Sequence, residues 1–525
     1  MRKKKKLDKL EKSFGKLKSD GFHFSLISQY FKNKQDSNCL QLISDKTCDD
    51  LDFEDFFIFI DRTNSKIGQQ FLYNKLRIIP KNESQNDLKE GLIKKLSDDK
   101  EFRLKTQFQL DKLSKDDAFY ISSLFQEKHA EPPKWFFLIP LLAFTSLLSL
   151  ILIPINSHML FVFLAVFIIN LGYHYWNKRH LNKYLVSIPQ LLKLNNVAIN
   201  LHKEKLFKSI ELDLEKSIKE INKIRNRMSF FRLEANLQNE TQVLFWSVLE
   251  LFKIAFLLEP LLLFSVLNRL DSKRNHLEKV FSFIGEIDVL NSIASLRSGL
   301  SRYCIPEIDS ENFSAEEIYH PLIPNCVSNS INLENKSVLI TGSNMSGKTS
   351  FIRTIGLNII SGLTINTCFA NKISIPRLQI FSAIRISDDL LNDKSYYFEE
   401  VLRIKDMIDN SLNKNRCLFL LDEIFKGTNT IERISAGKAV LSALANNGNI
   451  VFVSTHDIEL TDLLQNEYEL YHFSEIVEEK NVDFDYKLKE GKLKNRNAIR
   501  ILQINNYPND LIEEAISISQ TLDKK

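Results

Sequence analysis

The chain has 525 residues, with 70 basic against 66 acidic side chains and a formal net charge of +4. That length predicts two to four domains and a large core, while the near-balanced charge favours no class of partner. Its six cysteines (Cys39, Cys48, Cys304, Cys326, Cys368, Cys417) are scattered without a C-x-x-C pair, which argues against a disulfide framework or a zinc site and fits a reducing compartment.

The opening Met1-Arg-Lys-Lys-Lys-Lys, followed by Lys9, Lys12, Lys16 and Lys18, concentrates positive charge. Such a tail suits anionic lipid or nucleic acid, and equally a solvated, disordered terminus. No apolar run follows it, so it does not read as a secretory signal. Residues 1–130 mix charged and apolar residues at helical spacing and are expected to be mostly helical. Within them, Asp52 to Asp61 is apolar, Arg62 to Gly68 reads as a turn, and a helix from Gln69 should end near Pro80.

Residues 131–180 are the most apolar part. Neither Trp135–Ile155 nor His158–Trp176 contains a charged residue, and each is long enough to cross a hydrocarbon core of about 30 Å as a helix. Pro154 to His158 supplies a short turn. Trp135, Tyr173, Tyr175 and Trp176 fall at the same outer ends, where amphipathic rings favour the interface, and Lys134 and Lys178-Arg179 flank them. The basic flanks predict a two-pass hairpin in the cell membrane, with both termini and the C-terminal region cytoplasmic. A helical hairpin buried in a soluble core is the alternative.

Residues 181–310 return to a helical pattern. Leu214, Ile218, Ile221, Ile224 and Met228 make one apolar stripe, flanked by the i,i+4 pair Glu215 and Lys219, and predict one long lever or bundle helix. Val243–Leu267 is again apolar, but Glu250, Lys253 and Glu259 interrupt it, each costing about 2.5–3.5 kcal/mol at mid-bilayer. One extra crossing would also put everything downstream on the far side. A buried helix is therefore expected there, or a segment that turns back as a second hairpin.

Val338–Thr341 reads as a short buried strand, and Gly342-Ser-Asn-Met-Ser-Gly-Lys-Thr349 then fits the phosphate-loop pattern G-x-x-x-x-G-K-[ST]. Gly342 and Gly347 permit the backbone angles and close approach that turn successive N–H groups toward phosphate oxygens. A helix from Thr349 to about Ile360 would aim its positive end at the same anion. The expected nucleotide-binding set is Gly342, Ser343, Asn344, Met345, Ser346, Gly347, Lys348, Thr349 and Ser350. Lys348 would reach the β- and γ-phosphates of ATP, and Thr349 would hold Mg²⁺.

Leu378–Ile386 is the next expected strand, leading through Ser387-Asp-Asp-Leu to another helix. Cys417–Leu421 is a continuous apolar strand ending in Asp422-Glu423, a Walker B arrangement. Asp422 would share the Mg²⁺, and Glu423 would orient and deprotonate the attacking water. Ile450–Thr455 is one more strand, and His456 just beyond its C-terminal end reads as a γ-phosphate sensor. The catalytic set is thus Glu423, Lys348 and His456.

In this order the motifs resemble the MutS-like ATPases of the ABC class. The resemblance rests on Thr341 to Thr349, Ser387-Asp-Asp-Leu with Ser395 and Glu400, Asp422-Glu-Ile-Phe-Lys-Gly-Thr-Asn-Thr430, and Ser454-Thr-His456. His320-Pro321-Leu322 looks like the opening of that domain and Tyr486 to Gly491 like its closing strand. Upstream, Phe59-Ile-Asp61 to Gly68 and Gly285-Glu-Ile-Asp288-Val-Leu290 look like parts of the family's helical core and lever. The fold so implied is an α/β P-loop, ABC-type ATPase domain at 311–525. It is joined to an all-α core and lever at 1–130 and 181–310 that carries the transmembrane hairpin.

The resemblance further implies a homodimer of head-to-tail ATPase domains, with Ser395 contacting the γ-phosphate in trans and Asn429 and Thr430 in the loop that couples the two sites. It implies ATP hydrolysis with Mg²⁺, and DNA as a partner of the helical arms. Three positions depart from the family pattern: Ser346 stands for Gly, Phe425 for Gly, and Asn429 for Ser. Only about fifty residues precede the core-like region, too few for a mismatch-recognition domain, and no convincing Phe-x-Glu wedge stands among them. The chain most resembles the membrane-anchored short branch of the family, for which mismatch reading is not implied. The alternatives are an ATP-driven transport or membrane-remodelling motor, or a nucleotide-gated scaffold without DNA specificity. Against transport, the L-S-G-G-Q signature is absent and the apolar middle of each span holds no ionisable residue.

Overall fold

A computed structural model describes residues 2–34, 39–82, 86–229, 231, 240–334, 336–343, 345–385, 396–477, 482–493, 499, 502–503 and 507–522. The chain divides into two compact units, one of residues 1–36, 61–74 and 84–299, the other of 37–60, 75–83 and 300–525.

The first unit is helical. Its basic N-terminus is a helix, Arg2–Ser13, held by an ion pair from Lys6 to Asp111 and by Lys3 and Lys6 lying 5.6 and 5.9 Å from the Phe108 ring centre. Of the two readings of the tail, the disordered one is not what the structure shows. The two upstream stretches that resembled a helical core meet each other. Asp288 accepts from the backbone N–H groups of Asn64 and Ser65, both at 2.8 Å, and so caps the start of helix Lys66–Arg77. A Cβ on Gly68 would lie 2.2 Å from the Asp288 carboxylate, so this close approach requires glycine.

The stripe from Leu214 to Met228 is buried as expected, but the helix is not continuous. It splits into Leu214–Asn222 and Arg225–Ser229 through a tight turn in which Ile224 N–H bonds to Ile221 O at 3.1 Å. Apolar spacing reports which face is covered, and a single three-residue turn preserves it. The long helices lie elsewhere, at Met159–His202 and Arg274–Gly299.

Two helices, Lys134–Leu152 and Met159–His202, are long and apolar enough to cross a membrane, and only 17% of each apolar window is buried. Their outward side chains are large and apolar (Phe144, Ile151, Phe161, Ile168), whereas Ser146, Ser149, Asn170 and His174 are buried. At one end Trp135 packs 5.0 Å from Tyr173 and 4.8 Å from Trp176. The second helix runs unbroken to His202, so the boundary expected at 180 falls inside one helix. The apolar stretch 243–267 is likewise not one helix: Glu240–Ala255 and Leu258–Asp271 meet at Leu257, which is left-handed at φ 46°.

The second unit is built on a six-stranded sheet in the order Lys489–Glu490, Tyr468–His472, Ser337–Thr341, Ile450–Thr455, Cys417–Asp422, Gln379–Ala383. All pairings are parallel except that of the short edge strand Lys489–Glu490. Continuous apolar strands such as Cys417-Leu-Phe-Leu-Leu suit a parallel sheet covered on both faces, and every residue from 417 to 421 is buried. A four-stranded sheet, Glu307–Ile308, Lys372–Ile375, Ser314–Ile318 and Asn329–Asn332, adjoins it in sequence.

Residues 37–60 and 75–83 also belong to this unit, which the expected boundaries of 1–130 and 311–525 did not anticipate. Phe56 and Phe59 pack against Phe369 and Gln41 bonds to Ile380, and charge adds to these ties. Buried Asp50 accepts from Ser382 Oγ at 2.7 Å, from Arg403 Nη2 at 2.5 Å and from the Arg385 N–H at 2.8 Å. Asp52 pairs with Arg353 at 3.0 Å and Arg385 at 2.6 Å. Two acids near residue 50 thus need three arginines from beyond residue 350.

Candidate functional site

The C-terminal ends of three adjacent parallel strands carry the chemistry. Register places Thr341 beside Thr455 and Ser454 beside Asp422, so the loops after 341, 422 and 455 emerge together, at the edge where open α/β sheets bind ligands.

The loop after Thr341 turns on Gly342 at φ 153° and Gly347 at φ 105°. A Cβ on Gly342 would sit 2.7 Å from the Phe473 carbonyl and 2.9 Å from Ser346 Oγ, so the loop is wound too tightly for a side chain there. Ser346, which stands where the family pattern has glycine, is buried and donates to the Ser343 carbonyl at 2.8 Å. Ser343 Oγ in turn donates to Glu475 at 2.5 Å, and Met345 projects outward, 83% exposed. Asn344 lies outside the described residues.

Helix Lys348–Ile365 starts directly from this loop, so its unpaired N–H groups and positive end face the turn. Lys348 is 4% exposed and donates to the carbonyls of Gly342 and Ser343 at 2.7 and 2.8 Å. Burial lowers the pKa of its ammonium, against the opposing charges of Glu423 and Asp422. Thr349 Oγ1 donates to Asp422 Oδ2 at 2.7 Å, and Ser454 Oγ bonds to the other oxygen of Asp422. Ser350 follows on the first turn.

Glu423 sits at φ 53°, its N–H bonded to the Ser454 carbonyl at 2.9 Å. Its carboxylate pairs with His456 Nε2 on one oxygen and Lys426 Nζ on the other. Burial would raise its pKa, but these two partners reverse the shift and hold it at about 2. The remaining ring nitrogen of His456, Nδ1, lies 3.1 Å from the Gly342 carbonyl, so His456 bridges the first loop to Glu423.

All three expected catalytic residues, Lys348, Glu423 and His456, therefore converge, with Thr349 and Asp422 directly bonded. Lys348, Thr349 and Glu423, together with Tyr319, His320, Pro324, Phe473 and Tyr486, border a cleft of about 500 Å³, a size that suits a small ligand. His320 is pushed down to about 4 by burial and then by the Arg353 charge, so it presents a neutral imidazole there.

Asn429 and Thr430 stand at the start of helix Thr430–Leu444. Asn429 caps it, its side chain accepting from Glu432 N–H at 3.0 Å. One turn on, Arg433 forms a bidentate pair with Asp457 at 2.9 and 2.6 Å, next to His456. Ser395 and Ser387 lie outside the described residues.

Sequence reasoning gave no role to five participants. Lys426 clamps Glu423, and its only signal was a basic residue three positions on. Ser454 holds Asp422. Arg433 and Asp457 tie the helix after Asn429 to the His456 loop. Glu400, buried, accepts the N–H of Phe425 at 2.5 Å; it was quoted as part of a resemblance with no role attached.

Comparison with known proteins agrees with this geometry. Residues 338–523 match the family model described as MutS domain V. Proteins named DNA mismatch repair protein MutS are similar over about half of the chain. That of Oceanobacillus iheyensis is 31% identical over 264 residues, 47% of this chain and 30% of the relative. That of Listeria welshimeri is 30% identical over 287 residues, 51% and 32% respectively. That of Thermotoga maritima is 29% identical over 270 residues, 50% and 34%. The chain spans about a third of the length of these relatives, and its C-terminal region carries a MutS-like ATPase domain.

Proposed function

We propose that this chain is a membrane-anchored ATPase, MutS-like in its C-terminal domain. In this reading it hydrolyses ATP in a head-to-tail homodimer and couples turnover to DNA held by its helical arms. The observation that carries the reading is the meeting of Lys348, Thr349, Asp422, Glu423 and His456 at one sheet edge.

On ATP binding, the Lys348 ammonium exchanges two loop carbonyls for phosphate oxygens, and the N–H groups at the start of helix Lys348–Ile365 face the same charge. The Thr349 hydroxyl and Asp422 carboxylate are hard oxygen donors of the kind Mg²⁺ takes; they would hold the ion, which when bound neutralises charge on the β- and γ-phosphates. Glu423, released from His456, orients a water in line with the γ-phosphate and accepts its proton. His456 stays beside the γ-phosphate, and Ser395 would reach it in trans. The outward apolar faces of the two apolar helices, with Ser146 and Ser149 of the first turned inward, support a two-pass anchor in the cell membrane, with the ATPase domain cytoplasmic.

The test is the ATPase rate of the detergent-purified chain alone and with homoduplex, mismatched and branched DNA. Stimulation by duplex that falls with added salt is expected. An unchanged rate with every DNA, and no duplex binding at low salt, would remove the DNA part and leave the ATPase.

A further inference from the structure

The stretch Val243–Leu267 is too charged for a third crossing, yet it packs on the two long apolar helices. Asn170 Nδ2 donates to the Ala255 carbonyl at 2.8 Å. His174 Nε2 lies 3.1 Å from Glu250, and its Nδ1 lies 3.6 Å from Glu259. Lys178 donates to Glu250 at 2.5 Å, and the Phe264 ring packs 5.0 Å from Phe136.

These contacts fix the level of each part. Glu250, Lys253 and Glu259 gather around His174 and Lys178, beside the cluster of Trp135, Tyr173 and Trp176. That is the border where charged and amphipathic side chains favour a bilayer. None of the three charges therefore has to reach the hydrocarbon middle. The break between the two helices lies deeper, level with Asn170, six positions and roughly 9 Å along the helix from Trp176.

The break has a local cause. Pro260 has no N–H, and in a continuous helix its ring would strike the carbonyl of Phe256. The chain instead passes through Leu257 in the left-handed region and restarts at Leu258. Residues 254–257 are buried, and Asn170 satisfies a carbonyl that the helix end leaves unpaired. Irregular backbone at membrane depth is tolerated only when protein covers it in this way. On the outer side, Val248, Leu251 and Phe252 are 65%, 54% and 52% exposed. They form one stripe at helical spacing.

We propose that residues 240–271 form a re-entrant helix–turn–helix dipping into the cytoplasmic leaflet. Its turn at Leu257 is the deepest point, and Leu251 and Phe252 lie against lipid acyl chains, with Val248 at the border. This rests on the reading of the two long helices as a membrane hairpin. The chain leaves on the side it entered, so the ATPase domain stays cytoplasmic; of the two readings of this stretch, the proposal takes the one in which it turns back.

The test uses the full chain in phosphatidylcholine–phosphatidylglycerol vesicles, with the photo-crosslinker p-benzoylphenylalanine placed singly at Phe161, Phe252 or Leu412. Phe161 is on the second long helix and 69% exposed; Leu412 is in the ATPase unit and 72% exposed. With an acyl-tagged phospholipid as probe, lipid adducts of comparable yield are expected at Phe252 and Phe161, and background at Leu412. Adducts at Phe161 with only background at Phe252 would overturn the re-entrant element and leave the hairpin standing. Background at both would overturn the hairpin itself, and this inference with it.

Discussion

Two loops leave the same edge of the sheet, one after Thr341 and one after Asp422, and they reach positive φ by different means. The first uses glycine at Gly342 and Gly347, with only the outward-facing Met345, at φ 71°, between them. The second holds Glu423 at φ 53° and Phe425 at φ 60°, where an L side chain costs about 1–2 kcal/mol. The difference follows from what each loop offers. In the proposed function a phosphate approaches the backbone of the first, where side chains would be in the way. In the second, on the same proposal, the Glu423 carboxylate is itself the working group, so glycine there would be no solution. Its strain is offset by two backbone N–H groups that find acceptors, Glu423 on the Ser454 carbonyl and Phe425 on Glu400, and by burial of the Phe425 ring.

The sharpest way to break this division is to disable each loop in turn. Lys348→Ala should abolish nucleotide binding, whereas Glu423→Gln should keep bound ATP and lower turnover by about 10²–10⁴-fold, the range for losing a positioned base. Nucleotide retention and single-turnover hydrolysis separate the two; parental turnover in Glu423→Gln would end the assignment. The pH profile sharpens it. Glu423 is held at about 2, so the stabilisation from its ion pairs is complete above the ordinary carboxylate value of about 4.3 and is lost as pH falls toward 2. Lys426→Ala removes one of the two groups that lower it, so the acid limb of kcat/KM should move to higher pH.

Replacing Phe425 by the glycine of the family pattern tests whether strain or packing dominates. Relief of the left-handed residue is worth about 1–2 kcal/mol, while deleting a buried phenylalanine side chain costs about 3–5 kcal/mol. Phe425→Gly should therefore destabilise by roughly 1–4 kcal/mol, read in urea unfolding. A stabilised variant would mean that the ring contributes little in the 6.2 Å pairing with Tyr397.

Glu400 comes next. Glu400→Ala leaves the Phe425 N–H buried without its acceptor, at a cost of about 1–3 kcal/mol. Burial already raises the Glu400 pKa, so a neutral acceptor of the same shape should serve, and Glu400→Gln should recover most of the loss. If glutamine were as damaging as alanine, charge and not the hydrogen bond would be what holds the loop.

The same contrast explains what the amino-acid order disclosed. The first loop was legible because glycine is a positional signal and Lys348-Thr349 is contiguous with it. Asp422, Glu423 and His456 were legible as strand ends. What stayed hidden were partners from other segments: Glu400 on Phe425, Arg433 on Asp457, Asp50 beneath Arg385 and Arg403. Each is a common residue whose meaning comes only from a contact distant in sequence. In the helical region the stripe from Leu214 to Met228 gave the covered face correctly and the continuity of the helix wrongly. Periodicity survives a one-turn break. The charges in 243–267 spoke against crossing but could not show that they gather around His174.

The smallest effect concerns the third departure from the family pattern. Asn429 has extended backbone angles, φ −67° and ψ 157°, and accepts the Glu432 N–H, as a serine at the same place would. Asparagine and serine are nearly equal as N-caps, and losing the cap costs about 1 kcal/mol. Asn429→Ser should therefore leave unfolding and ATPase rate at parental values, and Asn429→Ala should lower stability by about 1 kcal/mol. The cap steadies the helix whose Arg433 grips Asp457 beside His456, so the alanine variant should also lose some turnover. If the serine variant lost as much as the alanine one, the asparagine amide would have a task beyond capping, and this second loop would recognise something by side chain, as the first is proposed to do by backbone.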